Sequence, residues 1–209
     1  MAAKTVAIEL SGLGRDFGER AALGAVELEL PAGGTLAVLG PNGSGKTTLL
    51  RILAGLLRPS RGKATVLGCS LPGETWRLRG RVGFVAHEPL LYRDLSSREN
   101  LRLAGRLHGI ERELAEARIE ALLEAVAMAA RGDDRVAELS AGMAQRVAVC
   151  RAVLHEPELL LLDEPDSHLD AEARGLVGKL LAAAPGRTRV VVSHERERAL
   201  DGADLALEL

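Results

Sequence analysis

The sequence predicts an α/β fold: a sheet covered on both faces, an antiparallel β layer near the N-terminus and an inserted block of helices. Three observations carry that expectation. The runs Leu159-Leu160-Leu161-Leu162 and Val190-Val191-Val192 have the composition of strands buried on both faces. Near the start, apolar and polar residues alternate through Val6-Ala7-Ile8-Glu9-Leu10 and Val26-Glu27-Leu28-Glu29-Leu30, the period of half-buried antiparallel strands. From Leu95 to Val153 the period turns helical.

In chain order, Thr35-Leu36-Ala37-Val38-Leu39 reads as a buried strand, and Leu49 to Ala54 as a helix after a glycine-rich turn. Lys63 to Gly68 and Arg81 to Ala86 are two more strands. Ser96-Ser97-Arg98-Glu99 is a capping box ahead of Leu101, Leu103 and Leu107. Glu111 to Ala130 forms a second amphipathic helix, with Leu114, Ala117, Ala121, Leu122 and Ala125 at helical spacing. Ser140 caps a helix that runs to Leu154. After the leucine strand come a helix from Ala171 to Ala183, a strand from Arg189 to Ser193 and a last strand from Asp204 to Leu209.

Composition bounds the function. A chain of 209 residues buries one large core or two small ones, and with 47% apolar but only 2% aromatic residues the core is built of alanine, leucine and glycine. A net charge of −2 gives no overall pull toward nucleic acid or anionic lipid. The two cysteines, Cys69 and Cys150, are too few for a disulfide framework. Cys150, in an apolar helical stretch, is expected as a buried thiol in a reducing cytosol. Met1 to Thr5 lacks the apolar core of a signal peptide, and no uncharged run approaches a membrane span, so a soluble chain is expected.

The chemistry is concentrated in Gly40-Pro41-Asn42-Gly43-Ser44-Gly45-Lys46-Thr47-Thr48, which fits the phosphate-loop pattern G-x-x-x-x-G-K-[ST] at every fixed position. Glycines let the backbone turn its amides toward an anion, and the following helix adds its positive N-terminal end. Lys46 then reaches the β- and γ-phosphates, and the Thr47 hydroxyl is placed to ligate Mg²⁺. The strand before and the helix after supply the context the motif needs. Downstream, Asp163 and Glu164 end the leucine strand, where open α/β sheets bind ligands. Asp163 is expected to hold Mg²⁺ through water and Glu164 to polarise an attacking water.

The order of phosphate loop, Leu139-Ser140-Ala141-Gly142-Met143, Leu159 to Pro165, the Ser167-His168-Leu169-Asp170 loop and His194 resembles the ATPase subunits of ABC transporters, over essentially the whole chain. The resemblance implies a P-loop NTPase (RecA-like) core with an N-terminal antiparallel β layer and an inserted α-helical subdomain. It implies one domain over 1–209, with 1–87 and 147–209 forming the core and β layer and 88–146 the helical subdomain. ATP and Mg²⁺ are the implied cofactors. Phe17 would stack on adenine. Two subunits would sandwich two ATP molecules head to tail, Ser140 and Gly142 touching the γ-phosphate held by the other copy, with Ala141 and Met143 in the same stretch. Glu164 would be the general base, His194 would contact the γ-phosphate, and Asp170 would organise the subunit boundary. Separate membrane-spanning permease subunits, no nucleic acid and a place on the cytoplasmic face of the cell membrane complete the expectation.

Two positions depart from the family pattern. His87, in Val85-Ala86-His87-Glu88-Pro89, stands where the family usually has Gln, and neutral imidazole is a poor ligand for Mg²⁺. A water-mediated contact with the nucleotide site, or a relay of partner movement, is the expected role. Met143 replaces the usual Gln after the signature glycine and cannot hydrogen-bond as Gln does. His87 to Tyr92, Leu95 to Leu101, Arg106 to Gly109 and the Met143 signature are similar to the haem-exporter ATPases of cytochrome c biogenesis (the CcmA type). That implies haem-linked export as cargo; the alternatives are another cargo (drug, lipid or lipoprotein) or a soluble non-transport ATPase of the same family.

Overall fold

A computed structural model describes residues 5–193 and 196–209. The chain divides into two compact units. One comprises Met1–Phe84, Glu158–Asp163 and Ala183–Leu209, the other Val85–Pro157 and Glu164–Ala182.

The first unit holds two sheets. The antiparallel sheet has the order β2 (Arg20–Pro31), β1 (Val6–Phe17), β4 (Arg61–Val66), β5 (Cys69–Leu71). β1 and β2 are longer than the alternation suggested, because register shifts along their pairing keep the ladder going past Leu10. The other sheet has the order β6 (Val82–Val85), β7 (Leu159–Asp163), β8 (Thr188–Val192), β3 (Thr35–Leu39), β9 (Leu205–Glu208). β3 pairs in parallel with β8 and β9, and β7 with β8. Every residue of β3 and β7 is buried, as their unbroken apolar runs require.

Helix α1 (Lys46–Leu53) lies in this unit's core. Leu49, Leu50, Ile52 and Leu53 are fully buried among Leu36, Val38, Leu161 and Val190 of the parallel strands and Ile8, Leu13 and Leu23 of the antiparallel sheet. Burying apolar side chains around more than one face fixes where α1 begins, and hence where the loop before it is held. A short helix, α6 (Arg196–Leu200), packs by Ala199 against Ala37 and Leu39.

The second unit is helical: α2 (Ser97–Leu107), α3 (Arg112–Ala125), α4 (Ala141–Val153) and α5 (Ala171–Leu181). The capping box at the start of α2 forms as expected, Ser96 accepting from the Glu99 amide and Glu99 from the Ser96 amide. α3 departs from expectation. Its buried stripe is Ala115, Ile119 and Leu123, while Leu114 is 47% exposed, and it ends at Ala125 rather than Ala130. Two cross-helix ion pairs, Arg98–Glu120 and Arg102–Glu116, join α3 to α2 and are compatible with that rotation. Cys69 and Cys150 are both buried and free, and burial pushes the Cys150 thiol up to about 12. Among the described residues no helix is long and apolar enough to cross a membrane.

Candidate functional site

In the first unit the phosphate loop joins β3 to α1. Gly45 precedes the helix with φ 104°, and a Cβ there would stand 2.4 Å from the Ala22 carbonyl oxygen, so only glycine fits. Gly45 at the N-cap offers no side chain to cap α1, which leaves its first-turn amides to an anion. The Lys46 ammonium is buried and folded back on the loop, donating to the Gly40 carbonyl at 2.7 Å and the Pro41 carbonyl at 2.8 Å. Thr47 Oγ1 donates to Asp163 Oδ2 at 2.7 Å, although the two are 116 residues apart. Asp163 is only 2% exposed at the end of β7. The Ser44 hydroxyl is buried with no hydrogen-bond partner. Among the described residues this buried hydroxyl has no partner and the ammonium has only loop carbonyls; together with the uncapped amides they fit a phosphate chain. The Thr47 hydroxyl and Asp163 carboxylate are hard oxygen donors of the kind Mg²⁺ uses alongside phosphate and water. Pro41, Asn42 and Gly43 form the exposed lip of the loop, and Thr48 sits in the first turn of α1.

Phe17 ends β1 with 52% of its surface exposed, so it is not a core residue. The Arg15 guanidinium lies 4.5 Å from its ring centroid, a cation–π contact not anticipated from sequence.

In the second unit, Glu164 has φ 53°, a left-handed backbone unusual for a side chain of this kind. His87 Nδ1 is 3.6 Å from Glu164 Oε2. Ser140 caps α4 by accepting from the Met143 amide at 3.3 Å, and its own surface stays exposed. Ala141 is exposed in the first turn, and Met143 Sδ accepts from Arg131 at 3.5 Å. Asp170 caps α5, accepting from the Ala173 amide at 2.8 Å. His194 lies outside the described residues.

Gly142 has a structural reason of its own. A Cβ there would stand 2.6 Å from the His168 carbonyl oxygen, a backbone atom that cannot swing away. Gly142→Ala is therefore expected to cost about 1–3 kcal/mol of stability through overpacking. A thermal melt checks it: an unchanged midpoint would show that the loop yields freely.

The comparisons with known proteins identify the family. The profile of the family described as ABC transporter matches residues 23–167. Nod factor export ATP-binding protein I of Rhizobium johnstonii is 37% identical over 196 residues, covering 93% of this chain and 63% of that protein. The protein of the same name from Cupriavidus pinatubonensis is 38% identical, covering 94% of this chain and 61% of its own length. The sulfate/thiosulfate import ATP-binding protein CysA of Synechococcus elongatus is 38% identical over 96% of this chain and 59% of that one. The chain thus spans about three-fifths of the length of these relatives. Among solved structures, an ATP-binding cassette captured as a dimer in a post-hydrolysis state with ADP and Pi matches with TM-score 0.87 and 26% identity, over 97% of this chain and 94% of that one. The ABC-cassette fold accounts for the phosphate loop, the antiparallel sheet and the helical unit together, and the chain belongs to the ABC transporter ATPase family.

Proposed function

We propose that this chain binds and hydrolyses ATP as the motor subunit of a membrane transporter. The observation that carries the reading is the Lys46–Thr47–Asp163 constellation at an uncapped helix N-terminus, with Glu164 next in the chain. On ATP binding, Lys46 exchanges its loop carbonyls for β- and γ-phosphate oxygens. Thr47 and Asp163 would hold Mg²⁺, which would supply neutralisation of the phosphate charge. Glu164 takes a proton from the water that attacks the γ-phosphorus, and ADP leaves. His194 is assigned to the γ-phosphate, and Ser140 and Gly142 to the γ-phosphate of a second copy in a head-to-tail pair, with Asp170 at the boundary. The dimeric structure of an ATP-binding cassette of the same fold supports the pairing.

Phe17 is assigned to adenine. Stacking is worth about 1–3 kcal/mol, so Phe17→Ala should weaken ATP binding by about tenfold with little loss of stability, its ring being half-exposed. Titration of a fluorescent ATP analogue checks this, and equal affinity removes Phe17 from the site.

Membrane-spanning permease subunits are the proposed partners, reached from the cytoplasmic face. A haem-linked cargo rests only on the loop residues around His87 and on Met143. The relatives' names, Nod factor export and sulfate/thiosulfate import, lend it no support. The test has two parts. Phosphate release from Mg-ATP by the purified chain establishes hydrolysis, and its absence with ATP bound would leave a nucleotide-gated module instead. Mass spectrometry of proteins retained by the tagged chain from detergent-solubilised membranes then identifies the partner. Multi-span proteins with cytochrome-maturation factors support haem-linked export, multi-span proteins alone leave the cargo open, and only soluble partners overturn transport.

A further inference from the structure

In the second unit His87 lies beside Glu164 and His168 lies beside His87, an arrangement that the reading above does not use. His87 Nδ1 faces Glu164 Oε2 at 3.6 Å, and the His87 and His168 ring centroids are 6.2 Å apart with the planes tilted by 50°. The His87 side chain is 59% exposed and that of Glu164 only 17%, so the imidazole stands toward solvent from the carboxylate. Glu164 and His168 both adopt left-handed backbone, at φ 53° and 64°, a conformation that persists only where its surroundings hold it. One hold is visible: the His168 carbonyl is packed so closely on Gly142 that no Cβ fits between.

We propose that His87 is a positioning residue for Glu164, its Nδ1–H directing the carboxylate that deprotonates the attacking water, with His168 as its neighbour across the loop. The proposal rests on the reading of Glu164 as general base. It gives the departure from Gln at this position a chemical content. An imidazole is a poor ligand for Mg²⁺ but a good donor to a carboxylate. The 3.6 Å separation exceeds a hydrogen bond, and such catalytic contacts commonly tighten when substrate binds.

The side-chain geometry allows a sharp test. The Asn amide nitrogen stands near the place of imidazole Nδ1, whereas that of Gln reaches the place of Nε2. Steady-state ATP turnover of the full chain is measured for His87→Ala, His87→Asn and His87→Gln, with melting temperatures confirming the fold. His87→Ala should lower kcat by about tenfold through a misplaced carboxylate, with KM for ATP and the Mg²⁺ requirement unchanged. His87→Asn should recover most of kcat and His87→Gln should not. Unchanged kcat in His87→Ala overturns the proposal, as does a raised KM or Mg²⁺ requirement at constant kcat, or recovery by Gln but not by Asn. Glu164→Gln separates the two readings. Full turnover in that variant removes the general base and this proposal with it; an inactive Glu164→Gln beside a fully active His87→Ala removes this proposal alone.

Discussion

Lys46→Ala is expected to abolish the stabilisation of the chain by Mg-ATP and to weaken ATP binding by at least about a hundredfold. The magnitude follows from what the ammonium does. A hydrogen bond to a charged group is worth about 1.5–3 kcal/mol, and Lys46 is assigned bonds to both the β- and γ-phosphates, so a loss near 3 kcal/mol is about a hundredfold in affinity. The side chain is 7% exposed, and solvent screens it little. Without nucleotide, Lys46 holds the loop through the Gly40 and Pro41 carbonyls, so the variant should also melt somewhat lower on its own. These two effects separate in a thermal-shift titration. The ligand-free midpoint reports the loop bonds, and the rise with Mg-ATP reports binding. A nucleotide-dependent rise equal to that of the unsubstituted chain would remove Lys46 from the phosphate site, whatever the ligand-free midpoint does.

Local rules made much of this fold legible, and tertiary contacts hid the rest. The strands β3 and β7 could be read because burial on both faces demands an unbroken apolar run. The start of α2 could be read because a capping box is contained in four residues. The phosphate loop is similar: backbone conformation, anion binding and helix start all act within nine residues. The face of α3 could not be read. Alanine packs or stays exposed at little cost, so a segment rich in alanine offers more than one apolar stripe. The structure buries the stripe that carries Ile119 and Leu123, with Arg98 and Arg102 of α2 paired to Glu120 and Glu116 beside it. Nor does any residue type announce the left-handed backbone of Glu164 and His168, since neither is glycine. The Thr47–Asp163 bond joins positions far apart in sequence, and only the pairing of motifs hinted at it. Phe17 was singled out only through its match to the family's adenine-stacking aromatic, and nothing in the sequence announced the Arg15 guanidinium over its ring.

Glu164→Gln is expected to keep ATP binding and lose hydrolysis by about 10²–10⁴-fold, the usual contribution of a general base. The substitution keeps the size of the side chain and imposes no new demand at φ 53°, so the loop carrying it should hold its shape. What disappears is the ability to take a proton, since an amide is not a base at neutral pH. Binding and turnover are thereby separated in one residue, which Lys46→Ala cannot do. A motor that closes on ATP and reopens after hydrolysis should then accumulate in its closed form. The expected sign is a dimer on gel filtration with Mg-ATP that dissociates when ADP replaces it. Undiminished turnover shows that Glu164 is not the base. Lost turnover with no dimer under Mg-ATP keeps the base and rejects closure of two copies as the power stroke. The two readouts answer different questions, because the proton transfer belongs to one chain and the closure to the encounter of two.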